Sequence, residues 1–176
     1  MREEIICAGF GGQGIMLLGK VIAQAAMKEN KHLTWIPSYG SAMRGGTAFC
    51  TVVISKEEIA SPYVDKCDSL FVFNQPSWDK FKRRVRPGGL VLLNSTLIKN
   101  SLGPKGVKIR KIPFTDLAAS LGNARVANMI ALGVYLKEKN IVKKKSCFEV
   151  FAEIVPPGKE HLVGINKQAL DKGYAV

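Results

Sequence analysis

The sequence has few of the side chains that build metal and covalent catalytic centres. Its 176 residues include two histidines and four cysteines. Cys7, Cys50, Cys67 and Cys147 are scattered and form no C-x-x-C pair, which argues against a zinc or iron–sulfur site held by this chain alone. Cys7 and Cys50 fall inside apolar strand-like runs, where a free thiol acts as a small core residue. His32 and His161 have no partner at ligand spacing and read as surface or capping residues. No Ser/His/Asp or Cys/His set and no pair of carboxylates at a strand end can be assembled, so independent catalysis is not expected. No apolar run approaches the roughly 20 residues that cross a bilayer. The first residues, Met1-Arg2-Glu3-Glu4, carry two acids and do not read as a signal peptide, so a cytoplasmic location is expected.

Acids are also scarce, 14 against 26 lysines and arginines, for a formal net charge of +12. From Lys80 to Thr115 there is no acid and there are ten basic residues: Lys80, Lys82, Arg83, Arg84, Arg86, Lys99, Lys105, Lys108, Arg110 and Lys111. Such an excess suits a solvated basic surface, a phosphate-rich ligand or an acidic partner. Nucleic acid ranks lower, because no recognised binding motif or interleaved aromatics accompany the charge. What is present is the composition of a soluble domain, 47% hydrophobic and 23% charged, long enough for one full core and too short for two.

Apolar runs alternate with amphipathic stretches. The run Glu4 to Gly9 predicts a buried strand, and Ile15 to Glu29 predicts a helix with Ile15, Leu18, Ile22, Ala25 and Ala26 at helical spacing. His32 to Tyr39 and Thr47 to Ser55 predict two more strands, the second rich in β-branched residues. Asp68 to Phe73 predicts a fourth, followed by a helix over Ser77 to Val85. Pro87-Gly88-Gly89 then reads as a turn into a fifth strand, Leu90 to Asn94, and Val107 to Pro113 as a weaker sixth. The last third is helical over Thr115 to Ser120, Ala124 to Lys139, Ser146 to Val155 and Glu160 to Lys172. Together these predict one α/β domain over 1–176, a three-layer Rossmann-like arrangement with a largely parallel sheet and helices on both faces. The helix-free stretch between Ile36 and Asp68 leaves room for antiparallel strands.

The candidate site is the run Gly9, Phe10, Gly11, Gly12, Gln13, Gly14, a G-x-G-x-x-G pattern directly after a strand and before a helix. Glycine lets the backbone turn sharply and approach a ligand, and the free N–H groups of a helix start favour an anion. Phosphate contact and tight helix–strand packing are both open readings of this loop. NAD is disfavoured, because the second strand ends Ile36-Pro37-Ser38-Tyr39-Gly40 without the acid that would hold the ribose hydroxyls. Arg44, Gly45 and Gly46 lie in the next loop, where a guanidinium would suit phosphate or carboxylate. Asn74 is expected at the same edge.

These motifs, taken in order, resemble the γ subunit or γ domain of the 2-oxoacid:ferredoxin oxidoreductases. The likeness is carried by the glycine run at 9–14, Tyr39-Gly40, Met43-Arg44-Gly45-Gly46-Thr47-Ala48, Ile59-Ala60-Ser61-Pro62, Asp68 and Asn74-Gln75-Pro76-Ser77. It continues through Pro87-Gly88-Gly89, Asn94-Ser95, Ala127-Asn128-Met129, Leu132-Gly133, Asn166, Ala169 and Gly173. The spacing is most like the short γ subunits of the 2-oxoglutarate and branched-chain 2-oxoacid enzymes. Ser41-Ala42 departs from the Pro-Glu often found in the family and removes an acid beside Arg44.

The resemblance implies a multi-subunit enzyme that oxidatively decarboxylates a 2-oxoacid, 2-oxoglutarate being favoured. The acyl group passes to coenzyme A and electrons to ferredoxin. Thiamine diphosphate, magnesium and iron–sulfur clusters are expected in α and β subunits, with or without a ferredoxin-like δ subunit, and no cofactor is expected on this chain alone. The γ subunit is expected to serve assembly and to contact coenzyme A through Gly9, Gly11, Gly12, Gln13, Gly14, Arg44, Gly45, Gly46 and Asn74. No catalytic or metal-binding residue is expected, nor a nucleic-acid or membrane partner, and isolated chains are expected to self-associate. A free-standing NAD(P)-binding oxidoreductase and a pure scaffold are the alternatives.

Overall fold

The computed structural model describes residues 1–38 and 47–176. Six strands form one sheet: β1 (Arg2–Phe10), β2 (His32–Ser38), β3 (Thr47–Ser55), β4 (Cys67–Val72), β5 (Val85–Asn94) and β6 (Lys108–Ile112). The helices are α1 (Ile15–Lys28), α2 (Gln75–Phe81), α3 (Phe114–Ala119), α4 (Ala127–Lys139), α5 (Lys144–Ile154) and α6 (His161–Ala175). The strand order is β2-β3-β1-β4-β5-β6. β3 runs antiparallel to both its neighbours, while β1, β4, β5 and β6 are mutually parallel. The antiparallel strand fits the stretch without a helix, since a strand that doubles straight back needs no crossover.

The continuous apolar runs are strands buried on both faces. Along β1, Ile5 and Cys7 join one core and Ile6 and Ala8 the other, as a period of two requires. Burying each such aliphatic side chain contributes about 1.5–3 kcal/mol. The first core lies under α1 and the helical C-terminal third; the second, smaller core contains Trp78 and Phe81 of α2. All four cysteines are free and buried, and Cys7 pairs with Cys50 across β1 and β3. His32 opens β2 and His161 opens α6, both exposed.

Most boundaries shift by one to three residues from expectation, and two differences have a clear local cause. The helix expected over Ser77 to Val85 begins at Gln75, because the Asn74 side chain accepts a hydrogen bond from Ser77 N and Pro76 suits the first turn. It tightens into a 3₁₀ turn at Lys82–Arg84, and Val85 is already strand. The expected turn at Pro87-Gly88-Gly89 is an irregularity within β5. Cys67 pairs with Val85 and Ser69 with Leu90, so extra residues bulge out between them. Gly88 takes a positive φ there, and a Cβ on Gly89 would sit 2.8 Å from Arg86 O.

At the amino edge of the sheet, carboxylates bolt strands together. Arg86 bridges Glu4 (2.6 Å) and Asp68 (2.8 Å), and Glu4 also meets Arg2 (2.8 Å). Glu3, almost fully buried, accepts from Ser69 Oγ (2.6 Å) and Tyr135 Oη (3.2 Å). The opposite, carboxyl edge is left for the loops.

Candidate functional site at the carboxyl edge

The glycine loop leaves β1 at Phe10 and enters α1 at Ile15. From β1 the chain returns to the sheet through α1 on one face, while the neighbouring β4 leads into α2, which covers the other. The carboxyl ends of β1 and β4 therefore flank the crevice where ligands of open α/β sheets bind.

Side chains fix this crevice from within. Gln13 Oε1 accepts from Phe10 N (2.7 Å) and from Asn74 Nδ2 (3.2 Å), and Gln13 Nε2 donates to Phe73 O (3.4 Å). Asn74, only 2% exposed, uses its Oδ1 to cap α2 (2.9 Å to Ser77 N). Asn128, at the start of α4, donates to Gly14 O (3.0 Å). The two amides expected at the ligand, Gln13 and Asn74, thus hold the loop to β4 and α2, and the loop presents backbone.

Its four glycines have different reasons to be there. A Cβ on Gly9 would lie 2.7 Å from Gln13 Oε1 and 2.8 Å from Ile15 Cγ1. Gly14 has φ 71°, and a Cβ there would run into the Asn128 amide. Both are set by internal packing. Gly12 (φ 88°) and Gly11 are exposed, with nothing within 4 Å of a Cβ among the described residues. Gly12 answers to its backbone, a positive φ that disfavours any side chain. Among the described residues, Gly11 answers to neither packing nor a positive φ.

A cleft of about 170 Å³ beside the loop is lined by Gly12, Gln13, Phe73, Leu97, Thr115 and Arg125, among others. Thr115 Oγ1 accepts from Asn94 Nδ2 (2.9 Å), which leaves its hydroxyl proton to donate elsewhere. Arg125 is exposed in the 3₁₀ turn 124–126, which the Asn123 side chain caps through Arg125 N (3.0 Å). Apolar walls, loop backbone and one guanidinium suit an extended ligand that carries phosphate. Sequence reasoning missed Arg125; its one signal was its position just before Ala127-Asn128-Met129. Arg44, Gly45 and Gly46 lie outside the described residues; β3 begins after them at Thr47, the partner of Phe10.

No group of three or more His, Cys, Asp and Glu that could hold a metal ion occurs among the described residues. Burial pushes the Cys67 and Cys147 thiols up to about 12 and Cys7 well above its ordinary range. These thiols stay protonated at neutral pH. Among the described residues, no helix is long and apolar enough to cross a membrane.

The family described as pyruvate ferredoxin/flavodoxin oxidoreductase matches residues 4–176. The chain is 40% identical to the 2-oxoglutarate synthase subunit KorC of Methanocaldococcus jannaschii, covering 100% of this chain and 94% of that one. It is also 40% identical to the ketoisovalerate oxidoreductase subunit VorA of Methanothermobacter thermautotrophicus, over 94% of this chain, and spans only 34% of that longer protein. Among solved structures, the keto/oxoacid ferredoxin oxidoreductase γ subunit from Geobacter sulfurreducens superposes with a TM-score of 0.85 at 30% identity, covering 98% of this chain and 96% of that one. The 2-oxoglutarate:ferredoxin oxidoreductase of Magnetococcus marinus, solved with 2-oxoglutarate, coenzyme A and succinyl-CoA bound, superposes with a TM-score of 0.89 at 26% identity, covering 99% of this chain and 30% of that one.

Proposed function

We propose, since this chain belongs to the pyruvate ferredoxin/flavodoxin oxidoreductase family, that it is the γ subunit of a multi-subunit 2-oxoacid:ferredoxin oxidoreductase. The complex converts a 2-oxoacid to its acyl-CoA with electrons passed to ferredoxin. The observation that carries this reading is the family match over residues 4–176. 2-Oxoglutarate is the favoured substrate, because the likeness to the 2-oxoglutarate synthase subunit runs nearly end to end in both chains.

Within the complex this chain takes part in assembly and in binding coenzyme A. The exposed Gly11–Gly12 backbone and the start of α1 face the ligand's phosphates, and Arg125 and Arg44 pair with them. Gln13, Asn74 and Asn128 hold the loop in place, and Gln13 also lines the cleft beside it. Thiamine diphosphate with its magnesium supplies the decarboxylation chemistry and the iron–sulfur clusters carry the electrons. The scattered, buried cysteines here do not fit a cluster, so the clusters are assigned to partner subunits, and the family resemblance assigns thiamine diphosphate to the α and β subunits as well. The complex works in the cytoplasm.

The test is reconstitution with the remaining subunits, followed by reduction of a viologen dye that depends on 2-oxoglutarate and coenzyme A. Leaving this chain out should abolish the coenzyme-A-dependent rate. Arg125→Ala and Arg44→Ala should each raise KM for coenzyme A by about ten- to a hundredfold, since a hydrogen bond to a charged group contributes roughly 1.5–3 kcal/mol. An unchanged KM in both variants would favour the scaffold reading.

A further inference from the structure

The two faces of the sheet are covered unequally. One carries α1 and α3 to α6. The other carries the seven-residue α2, its 3₁₀ turn, and the irregular segments 57–66 and 95–107, which pack Ile59, Val64, Ile98 and Val107 onto the smaller core.

This thin cover gathers more cations than acids, seven lysines and arginines beside the exposed carboxylates of Glu57, Glu58, Asp65 and Asp79. Lys66 Nζ donates to Arg83 O (2.9 Å), and the Arg84 guanidinium donates to Asp65 O (2.7 Å) and Val64 O, tying segment 57–66 to the 3₁₀ turn. Across α2, Gln75 and Asn100 exchange hydrogen bonds of 3.0 and 3.1 Å, and Gly88 N donates to Gly106 O (2.7 Å). Lys99 and Lys105 therefore stand at the two ends of a loop that runs along α2. Lys80 sits over the Phe49 and Phe81 rings. Among the described residues, only Lys82 of these seven cations meets a carboxylate, Asp79 at 2.7 Å.

Two apolar side chains stand among the cations. Leu102 (83% exposed) lines a shallow groove with Lys82 and Arg83, and Tyr63 (82%) precedes the carbonyls that Arg84 holds. They are the most exposed large hydrophobic residues described. Apolar anchors inside a charged rim are the anatomy of a protein interface. A phosphate backbone would use the cations but gain little from burying Leu102.

We infer that this face docks an acidic surface of another subunit of the same complex, with Leu102 and Tyr63 as its apolar anchors. The inference rests on the γ-subunit reading, and it gives a use to charge that the coenzyme A site leaves over.

The complex is purified through a tag on a partner subunit, with this chain wild type, Arg83→Glu/Lys105→Glu, Leu102→Asp, or Lys145→Glu/Lys159→Glu as a control of equal charge change elsewhere. Retention of this chain should fall at least tenfold in the first two variants and hold in the control. The Arg83→Glu/Lys105→Glu loss should be largest near 0.1 M salt, where the screening length is about 10 Å, and shrink near 1 M, where it is about 3 Å. Melting curves should match the wild type, because the altered side chains are exposed.

Unchanged retention in the patch variants, an equal loss in the control, or patch-dependent binding of duplex DNA or anionic vesicles in place of the partner would overturn the inference. Dye reduction separates the two failures. Activity that persists in a normally assembled Arg83→Glu/Lys105→Glu complex sinks only the docking face. A wild-type chain that is not retained and adds no coenzyme-A-dependent activity sinks the γ reading and this inference with it.

Discussion

Replacing Gly133 or Gly173 with alanine should destabilise the protein, although each glycine lies inside a helix where alanine is intrinsically preferred. α4 and α6 cross with their backbones almost touching. A Cβ on Gly133 would lie 2.7 Å from Tyr174 N and 3.0 Å from Gly173 C; one on Gly173 would lie 2.8 Å from Ile130 C, and each would also strike a carbonyl oxygen of the facing helix. The obstacle is main chain in both directions, so no side chain can swing away and the helices must part. Parting them uncovers Ala169 and Leu170, which are fully buried at the crossing.

Overpacking of this kind costs about 1–3 kcal/mol, occasionally more, against a helix-propensity gain of about 1 kcal/mol for Gly to Ala. With main chain as the obstacle, the cost should sit at or above the top of that range and leave a net loss of about 2 kcal/mol. That corresponds to a fall in Tm of about 4–8 °C for a domain of this size. Gly164, exposed in the same α6 with nothing within 4 Å of its Cβ, provides the control. Gly164→Ala should raise stability by up to about 1 kcal/mol. Urea unfolding followed by circular dichroism reads all three, and the double variant should cost less than the sum because the helices need to part only once. If Gly133→Ala and Gly173→Ala behaved like Gly164→Ala, the close crossing would be refuted.

Three further outcomes follow from the structure. Glu29 accepts from Lys31 Nζ (2.8 Å), Lys143 N (2.5 Å) and Ser146 Oγ (2.8 Å), anchoring the start of α5. Burial pushes its carboxyl up, but these donors outweigh it and hold it below its ordinary value. Its stabilisation is therefore full above the unfolded value of about 4.3 and is lost as pH falls through the lower folded value; urea midpoints across the acid range should show this loss flattened in Glu29→Gln. Tyr135→Phe, which removes a buried donor to Glu3, should lower unfolding free energy by about 1–3 kcal/mol, and a midpoint equal to wild type would mean the hydroxyl is dispensable. Gly11→Ala should melt like wild type while raising KM for coenzyme A in the reconstituted complex, whereas Gly14→Ala should lose stability; a Gly11→Ala complex with unchanged KM would remove Gly11 from the ligand surface.

The four inner strands were legible because they are buried on both faces and read as continuous apolar runs, the edge strands β2 and β6 less so because they are only partly covered, and the helices because their apolar spacing matches one covered side. Strand order was not legible: nothing local to Thr47–Ser55 says that it inserts between β1 and β2 with reversed direction. The basic run at 80–115 looked like one feature and is several. Arg86 belongs to Glu4 and Asp68 at the amino edge, and Lys108 and Arg110 to Glu138, partners that chain distance hides. Arg125 escaped notice for the same reason, since only folding brings the turn at 124–126 to a loop more than a hundred residues earlier.

The glycine run carries the same lesson at finer grain. From sequence it admitted two readings, close packing or contact with an anion, and the fold shows the packing at Gly9 and Gly14 but not at Gly11. Gly9 and Gly14 are demanded by Gln13, Ile15 and Asn128, and would be glycine whether or not a ligand were ever bound. Gly11 is demanded by nothing among the described residues. A pattern of glycines is thus weak grounds for a ligand site until the internally required ones are subtracted, and the residue left over is where a ligand's approach should be sought.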